Sequence, residues 1–338
     1  MPPSSLDMEL TLDMKTARQF WIQSPGVGEI VAAPLVPQQG GDVLVRAAYS
    51  GISRGTEALV FRGDVPTSQR EVMRAPFQEG DFGGPVKYGY SSVGEVLEGP
   101  ANLVGRSVFC LYPHQDCYRV PAWAVTPLPE GLPRARAVLA ANIETALNAV
   151  WDAAPGPGDR IVVIGAGVVG LSVAWLCAQL PASEVLVHDI DPRRAGAADA
   201  LGLRFTAEPP ERADADLVVH ASGSEGGLGV ALRCAGLEAT VVELSWYGTR
   251  PVSLPLGEAF HSRRRTLKSS QVGRLPPSRL PRWDHGRRMA VALRLLLDAR
   301  LDALISGESS FDDLPAVMTR LSRDPSAALC HRIRYTHP

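Results

Sequence analysis

Residues 1–136 carry short apolar runs broken repeatedly by Gly and Pro. In DVLVRAAY, Val43, Val45 and Ala47 recur at period two, which predicts a half-buried strand with those three side chains on one face. SSVGEVLEG and RSVFCLYP predict further strands, so this region reads as irregular and mostly β. The pattern changes at residues 135–153, ARAVLAANIETALNAVWDA, a helix-favouring run closed by Pro-Gly-Pro-Gly at 155–158. A regular alternation follows. RIVVIG predicts a buried strand, GVVGLSVAWLCAQL a helix, EVLVHD a strand, and PRRAGAADALG a helix with a Gly stop. ADLVVHASG, ATVVELSWYG and RTLKSSQVG predict three more strands, and this spacing argues for βαβ units in a parallel sheet. After Pro276 and Pro277, Met289, Ala292, Leu293, Leu296 and Leu297 mark one helix face. Leu314, Val317, Met318 and Leu321 mark the inner face of a last helix.

Composition narrows the class. At 338 residues the chain suits two domains. A net charge of −2 gives no reason to expect nucleic acid or an anionic membrane as partner. The five cysteines are scattered without a Cys-x-x-Cys pair, so neither a disulfide framework nor a structural zinc lobe is expected. The start, MPPSSLDMEL, lacks the basic and apolar segments of a signal peptide, and no apolar run has the length of a membrane span. A cytoplasmic, reduced protein acting on a small molecule is the expectation.

Gly165, Gly167 and Gly170 form a Gly-x-Gly-x-x-Gly motif directly after an apolar strand and at the start of a helix. In that setting the first glycine makes a tight turn, the second admits a pyrophosphate, and the third lets helix and strand pack closely. Val168 and Val169 then open the helix, whose free amides favour phosphate. Asp189 ends the next strand, close to the expected spacing of about 20 residues, where a carboxylate accepts from a ribose 2′-hydroxyl and repels a 2′-phosphate. NAD(H) is therefore expected over NADP(H). Arg193 and Arg194 follow within a turn and argue the other way, unless they are simply the exposed start of a helix. Ser222 and Gly223, with Ser245 and Trp246, follow two later strands, at the sheet end where open α/β sheets bind ligands.

Together with the segments at 51–57 (GISRGTE), 89–96 (GYSSVGEV), 120–122 (VPA) and 127–131 (PLPEG), these features resemble the medium-chain dehydrogenase/reductase superfamily over nearly the whole chain. GISRGTE and GYSSVGEV are most similar to the bacteriochlorophyllide a dehydrogenase branch. The resemblance implies an α/β fold: a Rossmann doubly wound parallel sheet at 137–274, plus a β-rich GroES-like catalytic domain from 1–136 and 275–338. It also implies a homodimer and places Thr145 beside the nicotinamide. The departures concern the metal. Zinc members read Gly-Ile-Cys-Gly-Thr-Asp where this chain has Ser53, an inserted Arg54 and Glu57, and Tyr90 stands in place of the His ligand. The third ligand position falls at Ala141, with Glu144 nearby. Catalytic zinc takes three N, S or O side chains and an open position, so zinc is not expected.

The expected function is an NAD(P)-dependent oxidoreductase moving hydride between nicotinamide and an alcohol/carbonyl or activated alkene, without catalytic zinc. Ser53, Tyr90, Arg54 and Glu57 are the candidate catalytic residues, with Arg54 or Lys87 the cation that would lower the Tyr90 pKa. Each has a plain alternative: a packed aromatic for Tyr90, a turn residue for Ser53, and mutual pairing for Arg54 and Glu57. His114 would line the cleft or serve structure. Competing functions are a zinc enzyme using Glu57, Glu144, His114 or Cys110, and an NAD(H)-binding sensor without turnover. A serine hydrolase is a third, but Gly-Tyr-Ser-Ser-Val-Gly has one residue too many for the nucleophile elbow.

Overall fold

The computed structural model describes residues 16–324 and 328–337. The N-terminal segment MPPSSLDMEL, which lacks signal-peptide features, lies outside them. Two compact units are present: Met1–Leu139 with Gly307–Pro338, and Ala140–Ser306.

The first unit contains β1 (Thr16–Ser24), β2 (Val27–Pro34), β3 (Asp42–Ile52) and helix α1 (Arg54–Phe61). After these come β4 (Glu79–Gly80), β5 (Val86–Lys87), β6 (Ser92–Glu98), β7 (Ser107–Cys110), β8 (Cys117–Pro121), β9 (Val125–Pro127) and a short helix α2 (Arg134–Ala137). The second unit runs α3 (Ala140–Ala153), β10 (Arg160–Ile164), α4 (Val168–Cys177), β11 (Glu184–His188), α5 (Ala195–Ala200), β12 (Arg204–Thr206), β13 (Ala215–His220), α6 (Glu225–Cys234), β14 (Ala235–Glu243), β15 (Thr266–Ser269) and α7 (His285–Leu295). The chain returns through β16 (Ile305–Ser310), α8 (Leu314–Arg323) and β17 (Cys330–Arg334).

In the first unit the path β16-β17-β3-β6-β7-β9, antiparallel from β17 onward and with β8 also on β3, forms one sheet, and β2-β1-β5-β4 a second. The expected strands are present, with one difference in β3. Leu44 is as fully buried as Val43, Val45 and Ala47, so β3 is covered on both faces there.

The second unit is a six-stranded sheet in the order β12-β11-β10-β13-β14-β15, all parallel. This is the doubly wound order, and it reverses direction between β10 and β13. The core beside that point is apolar, with Val162, Ile164, Val218, Leu228, Ala231 and Val241 buried together. Local signals act as expected at the helix ends. Gly202, at φ +73°, stops α5 by donating its N–H to the Asp199 carbonyl at 2.8 Å. Asp284 caps α7 by accepting the Arg287 N–H at 2.7 Å.

Three expectations are corrected. The helix expected at 135–153 is broken between α2 and α3 at Val138 and Leu139. Leu297 lies beyond the end of α7 and is 46% exposed, so it is not part of the buried face. The return to the β-rich unit comes at residue 307 and not at 275. The reason is α7, which packs on α3 through buried Arg288. Its guanidinium donates to Glu144 Oε1 at 3.0 Å, Asn148 Oδ1 at 2.5 Å and the Val272 carbonyl at 2.7 Å.

Candidate active site

The glycine turn of the second unit has the geometry its sequence calls for. Gly165 takes φ +106°, and a Cβ there would lie 2.6 Å from the Ser222 amide nitrogen. A Cβ on Gly170 would lie 1.9 Å from the Gly165 carbonyl oxygen. Neither position tolerates a side chain. At Gly167, the N-cap of α4, a Cβ would meet nothing within 4 Å, so the backbone is open to a ligand there. Val168 and Val169 form the half-buried first turn of α4, where amides lack partners inside the helix. This cradle fits a dinucleotide pyrophosphate.

Asp189 sits just past β11. Its Oδ2 accepts the Ala166 N–H at 2.7 Å and its Oδ1 the Asp191 N–H at 2.9 Å. The carboxylate therefore braces the glycine turn and keeps lone pairs for a ribose. Arg193 donates from Nε to Asp191 at 2.8 Å, and the Nε of the largely buried Arg194 lies 3.6 Å from the same carboxylate. Burial opposes that charge less than the Arg193 hydrogen bond favours it, and the Asp191 pKa falls below its usual value. Thr145, on α3, donates its hydroxyl to the Ala141 carbonyl at 2.8 Å.

The loops after β13 and β14 are joined by a network that the sequence did not reveal. Gly223 N donates to Ser245 Oγ at 3.0 Å. His220 Nε2 lies 2.6 Å from Ser222 Oγ, and His220 Nδ1 lies 2.7 Å from Glu243 Oε2. Tyr247 donates its hydroxyl to the same Glu243 oxygen at 3.0 Å. Trp246 is half-buried in the second of these loops.

In the β-rich unit, Ser53 and Thr56 lie close to the Tyr90 hydroxyl. Arg54 opens α1 beside them. Glu57, one turn on, is buried and accepts the Ser53 N–H through Oε1 at 2.7 Å. Glu57 Oε2 lies 2.8 Å from Nε2 of buried His114. His114 Nδ1 is 2.7 Å from Ser50 Oγ, which is 3.0 Å from the Tyr335 hydroxyl.

The expectation for the Tyr90 pKa is also corrected. Burial first, and then the Glu57 charge, push it well above its ordinary value, outweighing the hydrogen bonds from Ser53 and Thr56. Lys87 does not serve it. That amino group donates to Gln115 Oε1 at 2.9 Å, pairs with Glu79 and lies over the Tyr112 ring. Tyr90 is thus a neutral hydrogen-bond donor.

The residues do not fit a catalytic zinc. Both nitrogens of His114 and both oxygens of Glu57 are engaged by protein groups. Glu144 is held by Arg288, and the buried Cys110 thiol is pushed up in pKa by desolvation. Among the described residues no three His, Cys, Asp or Glu side chains gather as a metal site would require. The hydrolase motif also fails on geometry. Ser91 is buried and donates to the Val138 carbonyl, while Ser92 lies within β6 and accepts from Tyr118, so neither is an exposed nucleophile on a strand-to-helix turn.

No protein-family model matches the chain. It is 30% identical over 244 residues to the 2-desacetyl-2-hydroxyethyl bacteriochlorophyllide A dehydrogenase of Rhodobacter capsulatus, covering 65% of this chain and 70% of that one. The chain belongs to the medium-chain dehydrogenase/reductase superfamily, the zinc-type alcohol dehydrogenase-like proteins. An uncharacterized zinc-type alcohol dehydrogenase-like protein of Haemophilus influenzae is 30% identical over 144 residues, and the match spans 39% of this chain and 42% of the relative. Among solved structures, L-idonate 5-dehydrogenase from Escherichia coli superposes with TM-score 0.77 at 15% identity, covering 94% of this chain and 98% of that one. The fold is accordingly a Rossmann sheet with a GroES-like β-rich domain, and the superfamily is one of dehydrogenases and reductases. Among the described residues no helix is long and apolar enough to cross a membrane.

Proposed function

We propose that the protein is an NAD(H)-dependent oxidoreductase of alcohol/carbonyl substrates that works without catalytic zinc. The observation that carries this reading is the open backbone at Gly167 beside Asp189, at the point where the sheet reverses. Bound there, NAD(H) would supply or take up the hydride. Asp189 favours a free ribose 2′-hydroxyl, and Asp191, by holding Arg193, leaves that guanidinium engaged where a 2′-phosphate would otherwise attract it.

A carbonyl carbon that gains hydride leaves negative charge on its oxygen as the π bond breaks. Neutral Tyr90, with Ser53 beside it, supplies the hydrogen-bond donor and the proton for that oxygen. Glu57 fixes Ser53 through the backbone, and His114 fixes Glu57. The Rhodobacter relative is named for a hydroxyethyl-bearing substrate, which supports an alcohol/carbonyl pair over an activated alkene. The outer edge strand β15 is exposed at all its positions, which supports a homodimer through this sheet edge.

The deciding experiment combines metal analysis with nicotinamide absorbance in chelator-treated buffer. The expected result is under about 0.1 zinc per chain, because a true site binds tightly, and turnover of an alcohol or ketone unaffected by chelation. Stoichiometric zinc, with activity lost on chelation and restored by zinc, would establish a metal enzyme instead.

A further inference from the structure

The buried pair His220–Glu243 has no place in the reading above, and its geometry is specific. The two residues are register partners at the carboxyl ends of adjacent strands β13 and β14. The His220 side chain is fully enclosed and that of Glu243 is 13% exposed. Such a pair adds little stability over an apolar one of the same volume, and its contacts point to another role.

Glu243 accepts from His220 Nδ1, from the Tyr247 hydroxyl and, at 2.6 Å, from the Ser245 N–H. Burial works against its charge, but the His220 hydrogen bond leads the contacts that outweigh it, so its pKa is held below the usual carboxylate value. An ionised carboxylate only accepts, which places a proton on His220 Nδ1. In the neutral imidazole Nε2 is then an acceptor, and at 2.6 Å it takes the Ser222 hydroxyl hydrogen. The exposed Ser222 oxygen then takes the Ser224 hydroxyl hydrogen at 2.9 Å and faces Ser224 N at 3.3 Å, which leaves the exposed Ser224 oxygen with a lone pair outward beside the one that receives Gly227 N at 3.0 Å. Ser222 in turn lies against Gly165, the first glycine of the dinucleotide turn.

We infer that His220 and Glu243 are positioning residues for the dinucleotide, orienting Ser222 and, through it, Ser224 so that this hydroxyl pair accepts from a ligand hydroxyl or amino group and not from a phosphate. The inference rests on the proposed NAD(H) site. Glu243 ties the loop after β14 to the same pair, so the two loops form one wall of the crevice.

The stereochemistry of amides provides the test. An Asn amide reaches where Nδ1 lies, and a Gln amide reaches where Nε2 lies. His220→Gln keeps the acceptor for Ser222, and His220→Asn removes it. NADH dissociation constants would be measured by nucleotide fluorescence, and melting temperatures without nucleotide, for wild type, both His220 variants, Ser222→Ala and the double variant Ser222→Ala/His220→Asn. The expected result is about tenfold weaker NADH binding for Ser222→Ala and for His220→Asn, since one lost hydrogen bond corresponds to roughly that factor. His220→Gln stays within about threefold, and the double variant is no weaker than Ser222→Ala alone.

Wild-type affinity in Ser222→Ala and His220→Asn would overturn the inference. So would equal losses of melting temperature in the two His220 variants with no change in NADH binding, the mark of a structural role. Ser222 is exposed, so its variant reports even where a His220 variant does not fold. Failure of the wild type to bind NADH would sink the proposed function itself, a distinguishable outcome.

Discussion

His114 Nε2 lies 2.8 Å from Glu57 Oε2, with both side chains enclosed in the β-rich unit. The other Glu57 oxygen holds the Ser53 backbone, so this pair sets the position of a candidate catalytic hydroxyl. His114→Ala leaves a carboxylate buried without its partner, a loss of about 3–5 kcal/mol. Glu57→Gln keeps an acceptor for the Ser53 N–H and should cost only about 1 kcal/mol. Urea midpoints at neutral pH check the order. A His114→Ala protein as stable as Glu57→Gln would mean that the pair does not brace the site.

Tyr90→Phe removes the donor that the proposed chemistry uses. The expected outcome is a fall of about 10²–10³ in kcat with an unchanged NADH dissociation constant, as for loss of one oxyanion donor. The pH dependence has a definite sign. Burial and the Glu57 charge raise the Tyr90 pKa, so the hydroxyl stays protonated throughout the range below the usual tyrosine value of about 10. The rate of carbonyl reduction should therefore show no decline between about pH 7 and pH 9 that Tyr90→Phe abolishes. Such a decline would show that Tyr90 ionises near neutrality.

Much of the dinucleotide unit was legible because its strands are buried on both faces. RIVVI and EVLVH are continuous apolar runs, and Gly165, Gly167 and Gly170 sit between a strand and a helix. Asp189 followed from distance along the chain. The His220–Glu243 pair had no such signal. The two residues are 23 apart, and only the register of β13 on β14 makes them neighbours. His114 and Glu57 meet for a similar reason, through a fold contact across 57 residues. Ser53 and Tyr90 stand in the sequence where zinc members carry ligands, but the Tyr90 pKa could not be read there. Its direction depends on enclosure and on where Lys87 points, and neither is a local property of KYGY.

Glu243 makes stability depend on acid. Its folded pKa is lower than the 4.5 of an unperturbed glutamate, so its stabilising contribution is complete above that pH. As pH falls from 4.5 through the folded value, the contribution is lost. Glu243→Gln cannot lose it. Melting temperatures taken from pH 6 downward to about pH 3 should fall less steeply in the variant than in wild type. Parallel curves would place the titrating group elsewhere.

Asp189 has two duties that one substitution separates. Its carboxylate braces the turn by accepting the Ala166 and Asp191 N–H groups, and its charge would repel a ribose 2′-phosphate. Asp189→Asn removes the charge and turns one of the two acceptors into a donor facing an N–H. Loss of bracing weakens NADH and NADPH alike, whereas loss of charge acts on NADPH alone. The expected outcome is weaker NADH binding together with a drop of about tenfold in the ratio of the NADPH to the NADH dissociation constant, equivalent to about 1.4 kcal/mol. Titration of both nucleotides by protein fluorescence measures the ratio directly. A ratio equal to that of the wild type, with both affinities reduced, would assign Asp189 to the turn and leave cofactor choice to Asp191 and its arginines.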